Sequence, residues 1–196
     1  MVMKTWQKWA LLLVVVFGLI VCIRSCMIKK EPDITIAYIG AEFVNTEKFE
    51  KSVTSLEKSI EDINSDGDVN IELMEISFNE SLGYADKSNS SQKLANAVGM
   101  GTARVYIIDK EYVLKNKDSG VFANVAELGD GIETKDGLTI AVSLEGNKKV
   151  REMGIEPKEG LYLAIRKVTE IDQASDKSIH KKDAAAWHIA KYILAD

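Results

Sequence analysis

The sequence predicts an α/β fold, in which a mainly parallel sheet carries helices on both faces. Short β-branched segments alternate along the chain with apolar stripes of helical spacing, which is typical of βαβ units. Residues 103–108 are almost wholly apolar, as in a strand that is buried on both faces of a parallel sheet. No repeat of fixed period and no low-complexity linker interrupts the chain after residue 33, so residues 33–196 are expected to form one domain.

The first βαβ unit is the clearest part of the pattern. Residues 33–39 alternate, are rich in β-branched side chains and end at Gly40, which predicts a strand. An apolar stripe then predicts a helix over residues 47–63. A polar turn follows, and a second strand is predicted over residues 69–78. The stripe of the helix consists of Phe49, Val53, Leu56, Ile60 and Ile63.

The later elements are less regular. A polar surface loop is predicted over residues 79–91, because this stretch contains Gly83 and a run of Ser and Asn. A short helix over residues 91–98 precedes the apolar strand, which ends at Asp109. The remaining predicted elements are a helix over residues 110–117, a strand over 138–144, a helix over 147–153, a strand over 161–168 and a final helix over 181–194.

Before the domain, residues 9–26 are predicted to form a single transmembrane anchor. Residues 9–23 carry no charge, and Lys8 and Arg24 can extend their charged ends outward, which brings the apolar length near the roughly 20 residues that span a bilayer. Trp9 lies at the amino end, where aromatic rings favour the headgroup region. The expected divisions of the chain are a tail (1–8), the anchor (9–26), a linker (27–32) and the folded domain (33–196).

Two alternatives to a plain anchor are less favoured. A cleaved signal peptide needs a small-x-small cleavage site after its apolar run, and none follows here. Lipid attachment at Cys22 or Cys26 lacks the surroundings of a lipoprotein signal, so helix packing is the simpler interpretation of both. Positive charges are balanced on the two sides of the anchor, and the charge rule therefore does not orient it.

The charge of the domain excludes one class of partner. Residues 31–196 hold all 30 Asp and Glu but only 20 of the 25 Lys and Arg, a net charge of −10. A surface this acidic repels a phosphate backbone, and no basic stripe stands out within it. Nucleic acid is therefore not expected as a partner.

The segment that starts at Asp62 has the first half of the pattern of a twelve-residue calcium-binding loop. Oxygen-bearing side chains occupy the first, third, fifth and seventh positions, and Gly67 occupies the sixth. The twelfth position, which should be a bidentate acid, is Leu73, so a turn between helix and strand is the more ordinary interpretation. Calcium remains the only cofactor that the sequence suggests. Its ligands would be Asp62, Asn64, Asp66 and Asp68.

The sequence contains no catalytic signature, but the predicted fold indicates where a ligand would bind. In an open parallel sheet, ligands bind outside the carboxyl ends of the strands. A surface enzyme that uses carboxylates at these ends is one alternative, and its candidates are Glu42, Asp109 and Glu145. The candidate ligand-binding residues at the strand ends are Glu42, Asn79, Asp109, Lys110 and Glu145.

Three segments carry a resemblance to a known family. Residues 92–97, 103–109 and 119–128 resemble the extracellular solute-binding proteins of ABC importers, within the first of their two lobes. The anchored arrangement is similar to small membrane proteins of Gram-positive bacteria that carry such a domain. The resemblance implies a domain outside the cell, with room for one lobe only, that binds a small ligand or a partner protein without catalysis. A structural subunit of a membrane complex, assembled through the face of Cys22 and Cys26, is the other alternative.

Overall fold

A computed structural model describes Val14 and residues 31–78, 83–129 and 137–195. The chain divides into two units, Met1–Glu31 and Pro32–Asp196, and every element described below belongs to the second. The predicted anchor lies outside the described residues, apart from Val14. Among the residues that are described, no helix combines the length and the apolar character needed to cross a membrane.

The second unit alternates strands and helices along most of its length. The strands are β1 (Ile34–Gly40), β2 (Ile71–Ser77), β3 (Val105–Asp109), β4 (Val142–Ser143) and β5 (Leu161–Ile165). The helices are α1 (Thr46–Glu57), α2 (Tyr84–Gly99), α3 (Lys110–Asn116), α4 (Lys148–Glu152), α5 (Glu170–Ser175) and α6 (Ile179–Leu194), with a short 3-10 helix at Val125–Leu128. The predicted α/β class is confirmed.

The five strands form one mixed sheet in the order β2-β1-β3-β5-β4. β1 pairs in parallel with β2 and with β3, whereas β5 runs antiparallel to both β3 and β4. The prediction of a mainly parallel sheet is therefore wrong. All five residues of β5 are buried, and an apolar run that is buried on both faces has the same pattern in either chain direction.

Apolar side chains pack against both faces of the sheet. Along β1, Ile34, Ile36 and Tyr38 join a cluster with α1, α4 and α6. Ala37 and Ile39 point the other way and join a second cluster with α2 and α3. Successive side chains of a strand point to opposite faces, so this single strand contributes to both halves of the core. The sheet is thus covered by helices on both sides, as the sequence predicts.

The first helix is shorter than its apolar stripe, and the chain that follows it is held by hydrogen bonds to the buried carboxylate of Asp33. Helix α1 ends at Glu57, whereas the stripe predicts helix to residue 63. Asp33 is 1% exposed, and one of its oxygens accepts hydrogen bonds from the Ile63 and Asn64 N–H groups at 2.7 and 3.0 Å. Its other oxygen accepts from the Asn70 N–H at 2.9 Å. The apolar side chain of Ile63 is still buried, but in a turn instead of a helix.

Three further predictions of secondary structure need correction. The loop predicted over residues 79–91 is wrong from Tyr84 onward, where the polar helix α2 begins. Its packing depends on a few apolar positions near its carboxyl end, such as Leu94 and Ala97, so its first turns have no apolar stripe. The strand predicted over residues 138–144 is reduced to Val142 and Ser143, and α5 was not predicted.

A buried network of charges joins β3, β5, α5 and α6 at the amino edge of the parallel strands. Arg104 and Arg166 are 2% and 5% exposed. Arg166 donates to the carboxylate of Asp172, which also accepts from the Thr169 N–H and hydroxyl at 2.9 Å each. Arg104 donates to Asp183 of α6 at 2.8 Å. Each of the two arginines has a carboxylate partner, which offsets part of the cost of burial, although the Arg104 Nε and Nη1 make no hydrogen bond within the described residues.

Candidate functional site

At the carboxyl edge of the parallel strands, the ends of β1 and β3 lie side by side. From β1 the chain crosses to β2 through α1, on one face of the sheet, and returns to β3 through α2, on the other. The chain after β3 enters α3, which packs on the same face as α2. The connections after β1 and β3 therefore leave the sheet toward opposite faces. A reversal of this kind is the usual place for a ligand in an open α/β sheet.

Four polar side chains meet at this edge of the sheet, and we call them the edge cluster: Tyr38, Glu42, Asp109 and Lys158. The Lys158 Nζ lies 3.3 Å from the Glu42 Oε1 and 3.8 Å from the Asp109 Oδ1. The Tyr38 phenol folds back over the end of β1, since a Cβ on Gly40 would lie only 2.5 Å from its hydroxyl. The structure thus brings together Glu42 and Asp109, two of the residues that the sequence singles out.

In the edge cluster, two carboxylates share one lysine, and the cost of burying the Asp109 charge is only partly offset. Burial raises the pKa of the Asp109 carboxyl, and Lys158 and the Ala41 N–H offset this only in part. Burial also raises the pKa of the Tyr38 hydroxyl, and the nearby charges of Asp109 and Glu42 add to it. Among the described residues, no donor makes a hydrogen bond to the Asp109 Oδ1, although that atom is shielded from solvent. The site therefore holds an acceptor whose hydrogen-bonding capacity is not used.

We expect the substitution Asp109→Asn to stabilise the protein at neutral pH. A carboxyl whose pKa is raised on folding is less stable as a carboxylate in the folded state than in the unfolded one, so its ionisation lowers the free energy of unfolding as pH rises through the folded pKa. The neutral amide removes this cost, and a gain of about 0.5–1 kcal/mol is expected. Chemical denaturation at pH 7 and at pH 4, near the ordinary pKa of an aspartate carboxyl, measures it, and the gain should be larger at pH 7. A variant less stable than the parent at pH 7 would mean that the carboxylate is structural.

A second feature, which we call the polar cleft, lies between the carboxyl half of β2 and α2. Its volume is about 530 Å³. Ser77 is 8% exposed, and its hydroxyl has no hydrogen-bond partner among the described residues. Phe43 is 69% exposed at the mouth of the cleft, where an aromatic side chain in water gains by contact with a ligand. The cleft is lined by Phe43, Glu75, Ser77, Asp86, Asn89, Ser90, Gln92, Lys93 and Asn96.

The other residues predicted at strand ends are more dispersed. Lys110 is the first residue of α3, and its N–H donates to the Gly160 carbonyl at 2.7 Å. Glu145 lies in the turn after β4, where its N–H donates to the Ser143 hydroxyl at 3.4 Å, and β5 separates this turn from β3. Asn79 lies outside the described residues. Glu145 is therefore at the same edge as the edge cluster but two strands away from Asp109.

The segment predicted as a calcium loop forms a turn whose side chains bind its own backbone. Asp62 accepts hydrogen bonds from the Ser65 and Gly67 N–H groups at 2.6 and 2.9 Å. Asn64 and Asp66 accept from N–H groups two residues further on. Within the described ranges, no group of three or more acidic, His or Cys side chains is arranged to hold a metal ion. Calcium binding by Asp62, Asn64, Asp66 and Asp68 stays a prediction.

Sequence reasoning missed Lys158, Ser77 and Ser90. Lys158 precedes β5, and a parallel β5 would place that turn at the opposite edge of the sheet. Ser90 falls in the segment predicted as a loop, and Ser77 is a strand residue without any chemical motif. A search for polar side chains at the ends of predicted strands finds Ser77, but not the unpartnered state of its hydroxyl.

Comparisons of the chain with known protein families, with curated proteins and with solved structures found no match. What bears on function is therefore the geometry of the edge cluster and the polar cleft.

Proposed function

We propose that the chain is a membrane-anchored binding protein, without catalytic activity, whose domain lies outside the cell and takes a small polar ligand in the polar cleft. The observation that carries this proposal is the buried, unpartnered hydroxyl of Ser77 in a cleft of about 530 Å³. A buried hydroxyl without a partner is costly, and a ligand that supplies the missing hydrogen bond recovers that cost.

The chemistry of the lining favours a polar ligand with little net charge and several hydrogen-bonding groups, because its charged residues, Glu75, Asp86 and Lys93, are of both signs. Ser77 and Ser90 offer hydroxyls, and Asn89 and Asn96 offer amides that both donate and accept. The exposed ring of Phe43 provides an apolar surface beside them. A ligand with hydroxyl or amide groups along one side and C–H groups along the other satisfies this arrangement, as sugars, amino acids and short peptides do.

The anchor and the location of the domain are supported by the sequence. The uncharged run at residues 9–23 is the basis for the membrane anchor. The resemblance of residues 92–128 to one lobe of a solute-binding protein supports a domain outside the cell, because those proteins act there. Adding a protease to intact cells tests this orientation. Cleavage of the domain only after lysis would contradict a domain outside the cell.

Thermal unfolding of the full-length chain in maltoside micelles tests ligand binding. Sugars, amino acids and short peptides are added one class at a time. A ligand present at about 100 times its dissociation constant stabilises by about 2.7 kcal/mol, which raises the melting temperature of a domain of this size by roughly 5–10 °C. We expect one class to produce such a shift, and we expect Ser77→Ala to reduce it by at least half.

The matched control is Ser91→Ala, one position beyond the cleft residue Ser90. The Ser91 hydroxyl is exposed and donates only to the Lys87 carbonyl within α2. Neither substitution should unfold the protein, because the Ser77 hydroxyl has no partner to lose. Equal shifts in Ser77→Ala and in the parent would exclude the polar cleft, and a flat result with every class would count against a small ligand altogether.

A surface enzyme is the second candidate function, and the raised pKa of Asp109 favours it. A carboxyl that stays protonated closer to neutral pH can act as a general acid, with Glu42 beside it as the second carboxylate. Chromogenic glycosides, esters and peptides test this alternative. Turnover that is lost in Asp109→Asn would favour the enzyme, whereas a thermal shift without turnover favours the binding protein.

A further inference from the structure

The sheet has two edge strands among the described residues, the two-residue β4 and the seven-residue β2, and β2 is the longer open edge. In the order β2-β1-β3-β5-β4, β2 pairs with β1 on one side only, and no described strand pairs with its other side. Side chains contact the outward backbone at two points: the Ile71 N–H donates to the Glu57 Oε1 at 3.3 Å, and the Glu75 carbonyl accepts from the Lys93 Nζ at 3.4 Å. Leu73 lies between them and has the same outward orientation, because alternate residues of a strand direct their backbone groups to the same side.

A groove runs beside this edge on the α1 side, next to the polar cleft, with Glu75 lining both, and we call it the acidic groove. Its volume is about 490 Å³. No Lys or Arg is found among the described residues that line it. Its apolar floor includes Phe49, Val53 and Leu73, and its rim carries Glu50, Glu57 and Glu72.

The acidic rim is not neutralised from within the domain. No ion pair of Glu50, Glu57 or Glu72 with a Lys or Arg is found in the described part of the chain. The neighbouring Glu47 differs, because it is paired with Lys51 at 2.6 Å. Glu50 and Glu57 therefore place two carboxylates on the α1 side of an open strand edge, above an apolar floor, and Glu72 adds a third on the other face of the same edge.

We propose that the β2 edge and the acidic groove receive an extended, basic segment of a partner protein, which pairs with β2 as a sixth strand. Backbone hydrogen bonds to the outward groups of β2 supply affinity without regard to sequence. Every second side chain of such a segment points toward α1, into the groove, where the carboxylates favour Lys or Arg and the floor contacts their aliphatic stems. The inference rests on the strand edge and the α1-side carboxylates and does not depend on a small ligand in the polar cleft.

A labelled peptide of alternating lysine and valine tests the proposal on the full-length chain in maltoside micelles, by fluorescence anisotropy, with empty micelles as the blank. We expect it to bind, and we expect the affinity to fall as salt is raised, since exposed charges are screened. The matching peptide of glutamate and valine should not bind. Failure of the lysine peptide to bind at low salt, or equal binding of the two peptides, would overturn the proposal.

The double substitution Glu50→Gln with Glu57→Gln tests the groove, and the glutamine at position 57 can still accept the Ile71 N–H. Loss of two charge pairs should weaken binding of the lysine peptide by at least about threefold. The control is Glu127→Gln with Glu159→Gln, which removes the same charge at exposed positions away from the groove and should leave the affinity within about twofold. Equal weakening in both variants would show attraction to the overall negative charge, and would contradict a site at β2.

Methylated peptides test the strand pairing while the protein stays unchanged. Alternate N–H groups of a strand point to opposite sides, so only one set, on the lysines or on the valines, faces β2. Methylation of that set of backbone nitrogens should abolish binding, and methylation of the other set should leave most of it. Similar binding of both methylated peptides would exclude a sixth strand, whatever the effect of the groove substitutions.

Discussion

Replacing Asp172 with alanine is expected to lower the free energy of unfolding by about 3–5 kcal/mol, because it leaves the buried guanidinium of Arg166 without its carboxylate. Asp172 also accepts from the N–H and hydroxyl of Thr169, so α5 loses one half of its capping box in the same variant, while the Thr169 hydroxyl still accepts the backbone N–H of residue 172. Urea denaturation of the full-length chain measures the change.

The control for this prediction is the double variant Arg166→Met with Asp172→Leu. It removes both charges, so it should recover a large part of the loss, as buried ion pairs often do when apolar side chains replace them. A double variant as unstable as Asp172→Ala would mean that packing and capping, and not the unpaired charge, carry the effect.

The same carboxylate gives the stability a defined dependence on pH. Burial alone would raise the pKa of Asp172, but hydrogen bonds from Arg166 and Thr169 outweigh it and hold the pKa below its usual value. An acid whose pKa is lowered on folding stabilises the protein above its unfolded pKa, near 4, and this contribution is lost as pH falls through the folded pKa. Asp176 acts in the same direction. Its burial would raise the pKa of the carboxyl, but hydrogen bonds from Lys182 and Ser178 lower that pKa to about 2.

The second large effect is expected from Gly154→Ala, with a loss of about 2–4 kcal/mol. Gly154 has φ of +78°, and its carbonyl accepts the Asn45 N–H just before α1. A Cβ at this position would lie 2.6 Å from the Asn45 carbonyl oxygen, a backbone atom that cannot rotate away. The substitution therefore combines backbone strain with a steric clash.

Gly146→Ala is the matched control. Gly146 has φ of +73°, but nothing lies within 4 Å of its hypothetical Cβ. Its substitution should cost only the strain of the left-handed backbone, about 1–2 kcal/mol. Denaturation curves of the two variants separate strain from clash, and equal losses would mean that the contact between Gly154 and Asn45 relaxes without cost.

Much of the fold could be predicted because apolar residues recur with different periods in its helices and in its strands. The stripe from Phe49 to Leu56 identifies α1, and the apolar run at residues 103–108 identifies β3. The direction of β5 could not be predicted, since burial of every residue leaves no pattern that depends on direction. The bend at Ile63, where the stripe predicts helix, could not be predicted either, because the chain there is held by Asp33, thirty positions earlier.

The candidate site was harder to predict than the fold, since its chemistry arises from burial. The rule that ligands bind at the carboxyl ends of strands identifies Glu42 and Asp109. It says nothing of Lys158, which reaches the same edge only because β5 is reversed. The Ser77 hydroxyl is distinctive only for having no partner, and this depends on how α2 packs against β2.

Because β5 is reversed, its two ends lie at two separate groups of charges. Its amino end follows Lys158 at the edge cluster, and its carboxyl end leads to Arg166 in the buried network, so one strand of five residues, about 16 Å long, connects the two groups of charges. Sites that far apart contribute to stability nearly independently. Substitutions at the edge cluster can therefore accumulate over evolution and change what is recognised there, while the charges at the other end keep the fold intact.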